Sequence, residues 1–469
     1  MTAEWLAVGN LAVPGLAGLT TATEIGEFVL YYRGSAELPA STPIDVDVRT
    51  LVATAGTGAP QRNRQHTAFR VDETSVSVWT SVFNEDAVYL AEDPETGRFV
   101  WFTDLLLAAL ILPALGKQAL VVPAPVDPES DATIVSGVRK LAHSTRRTRF
   151  RARDGWHVEE VRAPDWLDQF HEPRRTDPLT AGRDQLAALT DVIGQIAAER
   201  PGAGFATLLS GGIDSGAVTY LAARAGFDVL PHSVGTPWGN EFSDAEELCA
   251  AAGLELCRVD IDEDTFAAAV PSAVRWLGTT TPEVVEIALT ATAVYENKVI
   301  EPGRVLLTGY GSDLINAGLF TPFTDPRELI GQCADAVRRT RMSGELTNRA
   351  AVASGVETFH PFWTLPVMSV ALETAPECKV REGREKFHLR TAMAEHVPHN
   401  VAWRRKIAVH HGGGLQDGVR GRVASDSGQP DPEQVYRACF THLLTLAGEG
   451  QLDSWDAVAV YEAAVAAVR

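Results

Sequence analysis

Apolar and polar positions fall into two regimes along the chain. Up to about residue 165 the apolar residues alternate or come in short aromatic and β-branched runs. Glu27-Phe28-Val29-Leu30-Tyr31-Tyr32 is one such run, and Val76, Val78, Thr80 and Val82 recur at the period of two that marks a half-buried strand. The segments 87–91 and 98–102 flank Asp-Pro-Glu-Thr-Gly (93–97), a hairpin signal with glycine at its end. These features predict a layered, mostly antiparallel N-terminal domain. A charged stretch from 146 to 175 follows, with Pro164, Pro173 and Pro178 nearby. The linker is therefore expected between about 165 and 180, giving domains of residues 1–170 and 180–469.

Beyond the linker the pattern alternates between two periods. A helical stretch at 184–199 leads through Pro-Gly-Ala-Gly into an apolar strand at 205–209. A helix at 215–225 is closed by Gly226, the usual left-handed C-terminal residue, and 229–234 is the next strand. Ser243-Asp244-Ala245-Glu246 reads as a capping box opening a helix that Gly253 closes. Further strands are expected at 254–261 and 304–307, with a long helix between them starting at Thr281-Pro282. Such alternation predicts an α/β domain with a parallel sheet covered on both faces. Residues past 325 read as mainly helical, ending in a small-residue helix at 455–468.

Composition narrows the partners. The 469 residues suit two domains or one large two-part enzyme. With 41 Lys+Arg against 61 Asp+Glu the net charge is −20, which argues against nucleic acid as a partner. The strongest apolar run, 105–115, is about half of a spanning helix and carries Pro113, so no membrane insertion is expected. Met1-Thr2-Ala3-Glu4-Trp5 lacks the basic start of a signal peptide, so the expected compartment is the cytoplasm. The five cysteines form no C-x-x-C pair and read as reduced, mostly buried thiols. A homo-oligomer is left open.

The chemistry concentrates at two strand ends. Ser210-Gly211-Gly212-Ile213-Asp214-Ser215 lies where a strand gives way to a helix, where free backbone N–H groups form an anion site. Two glycines admit a phosphate close to the backbone, and two serines add hydroxyl donors. Asp214 would be repelled by phosphate unless a divalent cation bridges them, and hard oxygen ligands imply Mg²⁺. No G-K-[ST] follows, so this is not a Walker loop. It is the pyrophosphatase-loop signature of enzymes that cleave ATP to AMP and pyrophosphate. Leu307-Thr308-Gly309-Tyr310-Gly311-Ser312-Asp313 follows another strand and puts a second carboxylate at the sheet's carboxyl edge, where open α/β sheets bind ligands. Asp214 and Asp313 would share the metal.

Residues 186–414 resemble the synthetase domain of the asparagine synthetase superfamily, and within it the β-lactam and carbapenam synthetases. The resemblance rests on 209–215 (Leu-Ser-Gly-Gly-Ile-Asp-Ser), 235–242 (Gly-Thr-Pro-Trp-Gly-Asn-Glu-Phe), 307–313, 339–345 (Arg-Thr-Arg-Met-Ser-Gly-Glu), 360–363 (His-Pro-Phe-Trp) and 403–410 (Trp-Arg-Arg-Lys-Ile-Ala-Val-His). It implies a pyrophosphatase-type α/β synthetase domain that uses ATP and Mg²⁺ to adenylate a β-amino acid, whose own amine then closes a four-membered lactam. It implies a catalytic Tyr310–Glu345 dyad, a catalytic Lys406 that also reaches the nucleotide, and a pyrophosphate-side Lys386. A phenol can take the amine proton only if a partner such as Glu345 orients the exchange, and a fixed ammonium can stabilise the developing oxyanion. Leu209, Ser210, Gly211, Gly212, Ser215 and Gly309 would cradle the nucleotide, with Ser233 and Val234 lining the adenine pocket. Glu283, Glu286, Tyr310 and Gly311 are expected on the acyl-substrate side. His410 and His411 do not read as a metal pair, and 360–363 reads as packing beneath the site.

The departures bear on the substrate. Glutamine-dependent members of the superfamily carry Cys at position 2, where this sequence has Thr2, and its first cysteine is Cys249. The N-terminal domain therefore reads as a degenerate Ntn-amidohydrolase sandwich without glutaminase activity. Gly216 stands where many relatives have Ser, and His411 where β-lactam synthetases tend to have Glu. The rival readings are a lasso-peptide macrolactam cyclase or another amide ligase of the superfamily, and a catalytically silent nucleotide-binding scaffold.

Overall fold

The computed structural model describes residues 4–34, 37–39, 42–48, 52–55, 67–127, 129–319, 328–345, 349–404 and 414–469. Two sheets come first. Across one, in order, lie Arg139–Lys140, Tyr89–Glu92, Phe99–Phe102, Trp5–Gly9, Phe28–Arg33 and Thr21–Ile25. Across the other lie Gly155–Arg162, Thr145–Ala152, Ser75–Trp79, Ala68–Val71, Ile44–Asp47 and Val52–Ala55. All pairings are antiparallel. Leu6, Val8, Phe28, Leu30, Phe99 and Trp101 of the first sheet meet Ile44, Val46, Phe69, Val71, Val76 and Val78 of the second in one core. The first sheet's other face, with Trp5, Ala7, Tyr31 and Phe102, packs with Phe266, Val270, Val274 and Leu277 of a later helix. Covered on both faces, Trp5–Gly9 is buried throughout, so its sequence shows no alternation.

The 93–97 turn is a hairpin as expected: Glu92 pairs with Phe99, and Gly97 has φ +70°. The charged stretch from 146 begins within the β-rich region. Residues Thr145–Ala152 and Gly155–Arg162 form an antiparallel strand pair whose arginines find carboxylates on the partner strand and on the first sheet. Arg146 meets Glu159 at 2.8 Å and Arg147 meets Glu92 at 2.7 Å. The apolar run at 105–115 is a 3-10 turn, Leu105–Leu107, and a buried helix, Ala108–Ala114. No helix among the described residues is long and apolar enough to cross a membrane.

The third sheet is parallel, in the order Cys257–Asp260, Val229–Gly235, Phe205–Leu208, Val305–Leu307 and Glu357–Phe359. Its residues alternate between two cores. Phe205, Val305 and Leu307 face the helices Pro178–Glu199, Ile213–Arg224 and Phe242–Ala252. Ala206 and Leu306 face Glu263–Leu277 and Pro282–Glu296. Left-handed Gly226 and Gly253 follow their helices as expected. The capping-box reading fails: the helix already starts at Phe242 behind Glu241, with no side-chain cap, so Ser243 lies within its first turn. The helix Glu263–Leu277 was unexpected because it carries Pro271 in its interior, a residue that normally ends a helix. The strand order reverses between Phe205–Leu208 and Val305–Leu307, and that switch point opens a crevice at the carboxyl ends of the strands.

The helix Pro178–Glu199 provides a paired test of packing. A Cβ on Gly182 would lie 2.1 Å from the His388 carbonyl oxygen and 2.7 Å from Ala392 Cβ, whereas one on Gly194 would meet nothing within 4 Å. Gly182→Ala should therefore destabilise the fold by about 1–3 kcal/mol through overpacking. Gly194→Ala should stabilise it by about 0.5–1 kcal/mol through helix propensity. Urea denaturation of both variants checks the sign and the contrast.

Candidate active site

Loops leaving the two strands at the switch point build the site. After Phe205–Leu208 the chain turns through Leu209, whose N–H donates to the His232 carbonyl at 2.8 Å, and into Ser210-Gly211-Gly212. Gly211 has φ +69°, and a Cβ there would stand 2.5 Å from Asp244 Cβ, so only glycine fits. Gly212 caps the helix Ile213–Arg224 without a side-chain bond, leaving the first-turn N–H groups to an incoming anion. Ser215 Oγ lies 3.2 Å from both Ser210 N and Ser210 Oγ. A Cβ on Gly216 would fall 2.3 Å from Leu248 Cδ1, which explains glycine at that position.

The second loop leans on the first. A Cβ on Gly309 would stand 2.6 Å from Ser215 N, so the lack of one lets the loops touch. Gly311 has φ +89° and rests on Trp363, while His360 Nδ1 lies 2.7 Å from Thr308 Oγ1; the 360–363 segment thus packs beneath the loop. This contact brings Asp214 and Asp313 together. Lys386 Nζ sits between them, bonded to Asp214 Oδ2 and 2.6 Å from Asp313 Oδ1, with its side chain fully buried. Burial alone would pull the ammonium's pKa down, but the two carboxylates outweigh it and push the value up. Ser312 donates to Asp214 Oδ1 at 2.5 Å.

Does this donor set fit a divalent cation? Among the described residues no cluster of three or more His, Cys, Asp or Glu could hold a metal by itself. The two carboxylates nevertheless converge on a point where a cation already belongs. Gly318 closes that cradle: a Cβ there would lie 1.9 Å from Asp313 Oδ1 and 2.7 Å from Lys386 Cε. Two carboxylates, with the remaining positions filled by water and phosphate oxygens, suit Mg²⁺ on a nucleotide. The residues fit.

Tyr310 is half-buried, its ring 5.7 Å from that of His360. Burial, then Tyr295 and Glu345, push its phenol up. Glu345 is also raised, by burial first and by Glu283, against hydrogen bonds from Thr340 and Ser343. The charge of Glu345 thus reaches Tyr310, although no hydrogen bond joins them among the described residues. Glu345 follows a segment held from the N-terminal sheets. Buried Lys140 donates to the Met342 carbonyl at 2.9 Å, and Asp165 takes Arg341 in two bonds of 3.0 and 2.5 Å.

The remaining expected residues scatter more. Ser233 is buried and Val234 partly so, on the strand beside Phe205–Leu208. Glu283 is exposed and close enough to Glu345 to raise its pKa. Glu286, one turn on, faces elsewhere: it is fully buried and accepts from Arg420 Nε at 2.7 Å. Lys406, His410 and His411 lie outside the described residues, as does Thr2. The sequence reading missed Arg404, which donates to the Asp244 carbonyl at 2.8 Å and the Gly211 carbonyl at 3.3 Å, fastening the glycine loop. It also missed Glu241, which burial and Asp244 push up to about 7.

The sequence profile of the family described as asparagine synthase matches residues 197–343 and 335–467. The chain belongs to the asparagine synthase family. It is 30% identical over 290 residues to the carboxyethyl-arginine beta-lactam-synthase of Streptomyces clavuligerus, covering 59% of this chain and 55% of that protein. It is 27% identical over 277 residues to the "probable asparagine synthetase (glutamine-hydrolyzing)" of Schizosaccharomyces pombe, covering 52% and 48%. The chain thus spans about half the length of the curated relatives it matches. Among solved structures, NMN synthetase from Francisella tularensis aligns with TM-score 0.29 at 15% identity, over 62% of this chain and 94% of that one. NAD+ synthetase from Burkholderia pseudomallei aligns with TM-score 0.22 at 14% identity, over 55% and 94%.

Within this asparagine synthase-family site, Lys386 gives the first test. Lys386→Met leaves two partly buried carboxylates without their shared cation, a loss that typically costs about 3–5 kcal/mol. Urea denaturation in EDTA should show that loss, and added Mg²⁺ should restore part of it by taking the ammonium's place. Unchanged stability with no response to cation would mean that the carboxylates do not depend on a shared charge.

Proposed function

We propose that this chain is an ATP- and Mg²⁺-dependent intramolecular amide synthetase that adenylates a β-amino acid and closes it to a β-lactam, a carbapenam synthetase-like step of antibiotic biosynthesis. One observation carries the reading: Asp214 and Asp313, from opposite sides of the switch point, converge beside the Ser210-Gly211-Gly212 loop. That arrangement suits a nucleotide whose phosphates lie along the loop and the helix N-terminus. The magnesium would neutralise phosphate charge as the acyl oxygen attacks. Lys386 holds a positive charge at the same place and serves the departing pyrophosphate. Leu209, Ser210, Gly309, Ser233 and Val234 border the nucleotide.

The acyl end falls to Tyr310, Gly311, Glu345 and Glu283. The substrate amine attacks its own adenylate; its proton passes to the Tyr310–Glu345 pair as AMP leaves. Lys406 would steady the oxyanion. Tethering amine and adenylate in attack geometry is worth on the order of 7–11 kcal/mol, so proton removal and oxyanion support are the remaining demands. The two facing antiparallel sheets support a degenerate Ntn-amidohydrolase domain over residues 1–170, with the synthetase domain over 180–469. The nitrogen then comes from the substrate, and the working compartment is the cytoplasm.

Pyrophosphate release across a panel of β-amino acids, starting with carboxyethyl-arginine and omitting glutamine, is the deciding experiment. AMP and pyrophosphate are expected; ADP and phosphate would overturn the loop assignment. Tyr310→Phe and Glu345→Gln should keep pyrophosphate–ATP exchange but lose about 10²–10⁴-fold in ring closure. Closure at nearly the parent rate in Tyr310→Phe would favour a macrolactam or intermolecular ligase with another base.

The pH profile supplies a separate check. A raised Glu345 pKa keeps the carboxyl protonated to higher pH, so the acid limb of ring closure should lie above the ordinary carboxylate range. Removing the like charge with Glu283→Gln should move that limb to lower pH. A limb that stays put separates Glu345 from the proton transfer.

A further inference from the structure

Behind Asp214 runs a file of buried polar side chains that lies outside the Ser210-Gly211-Gly212 loop. Ser312, Asn316, Gln185 and His388 are each fully buried. Asn316 Nδ2 donates to Ser312 Oγ at 3.0 Å, Gln185 Nε2 to Asn316 Oδ1 at 3.0 Å, and His388 Nε2 lies 2.9 Å from Gln185 Oε1. Ser312 in turn donates to Asp214 Oδ1. Apolar side chains of the same shape would pack this space without desolvating four polar groups, so the file needs a reason.

We propose that Gln185 and Asn316 are positioning residues that fix the Asp214 carboxylate for the magnesium of the bound nucleotide, acting through Ser312. The inference rests on reading Asp214 as a metal carboxylate. Its logic is directional. A carboxylate only accepts, so the Ser312 proton must point at Asp214, leaving the Ser312 oxygen to accept from Asn316. Asn316 then presents its oxygen to Gln185, and Gln185 presents its own to His388. Burial, reinforced by Lys379, pushes His388 down to about 3, so its ring is neutral and carries one proton. Nε2 faces the Gln185 oxygen and Nδ1 the Cys378 carbonyl at 3.2 Å; both oxygens only accept, so the single ring proton serves one of them, and the order that ends on Asp214 has it on Nε2. Lys379 also braces the Ser312–Ile315 turn by donating to the Ile315 carbonyl at 2.8 Å. Each amide is held at both ends, and turning the pair over would draw the Ser312 proton to the Asn316 oxygen and away from Asp214. The Asp214 rotamer inherits that order, leaving Oδ2 toward the cation point.

Gln185→Glu tests the direction with almost no change of shape. An acceptor at 185 forces Asn316 to turn its amino group toward it. The Asn316 oxygen then faces Ser312 and draws the Ser312 proton away from Asp214. Binding of ATP is measured by calorimetry, first without metal and then in a Mg²⁺ titration at fixed ATP. Outer partners of metal ligands typically contribute 10–100-fold in metal affinity, so the Mg²⁺ half-saturation should rise by roughly that factor in Gln185→Glu and Gln185→Leu. Affinity for metal-free ATP should stay at the parent value, because the phosphate loop is untouched. A merely structural role would weaken both together. Ser312→Ala cuts the file at its last link and should match Gln185→Glu; it decides the matter if a variant at 185 does not fold. Thr219→Val, which removes the buried Thr219–Thr207 bond of 2.9 Å, should leave the Mg²⁺ response unchanged. Parent-like Mg²⁺ half-saturation in Gln185→Glu and Ser312→Ala overturns the inference. A parent chain that binds no ATP overturns the nucleotide reading itself, and this inference with it.

Discussion

Two carboxylates held face to face set the terms for this site. Phe205–Leu208 and Val305–Leu307 are hydrogen-bonded neighbours, with Thr207 opposite Leu307, so the loops leaving them start about 4.8 Å apart. Gly309 lets those loops touch, and Asp214 and Asp313 end up around one point. Two carboxylates around one point, partly removed from water, repel unless a cation lies between them. Lys386 meets that demand from a backbone with φ +56°, a conformation that costs a non-glycine residue about 1–3 kcal/mol and persists only where its surroundings impose it. The glycine at 318 follows from the same requirement, since any side chain there would take the space of the Asp313 oxygen.

The other half of the site depends on a different support. The Asp214, Asp313 and Lys386 cluster stands at the edge of the parallel sheet and the helices around it. Glu345 instead ends a segment that Asp165 and Lys140 hold from the N-terminal side. Arg349, just beyond, donates to the Glu4 carbonyl at 3.1 Å and to Thr103 Oγ1 at 3.3 Å. Lys140 is a costly choice for such a contact: burial pulls its pKa down to about 8, and it donates to a carbonyl, not a carboxylate. The N-terminal sheets are therefore structurally continuous with the segment that presents Glu345.

The sequence made the parallel-sheet half legible because its signals are local. Strand–loop–helix grammar located Ser210–Ser215 and Leu307–Asp313 to within a residue or two, and both loops meet as the switch-point rule requires. Signals that need a partner elsewhere were not legible. Gln185 looks like one polar residue in a helix, and only the fold brings it to Asn316, 131 positions away. The pairing of the arginines from 146 onward was not legible either, because their carboxylates lie on other strands. Ser243–Glu246 imitated a helix start, since the spacing of a capping box says nothing of where the helix truly begins. Glu283 and Glu286 share a helical turn, yet the turn gives them different neighbours, Glu345 for one and Arg420 for the other.

The electrostatics of Tyr310 and Glu345 constrain how such a pair can work. Both groups are pushed up, so neither a standing phenolate nor a low-pKa carboxylate is present at rest. A phenolate beside Glu345 would place two negative charges in one partly buried space, a repulsion that adds to the burial that already raises Tyr310. Proton transfer that moved through the phenol, with Glu345 accepting as Tyr310 gives and receives, would never create that doubly charged state. The raised carboxyl is better matched to an amine's proton than an ordinary one, because the gap in pKa between donor and acceptor narrows. On the proposed reading, burial thus does for the acyl end what Lys386 does for the phosphate end: it fixes where charge can rest before the substrate arrives.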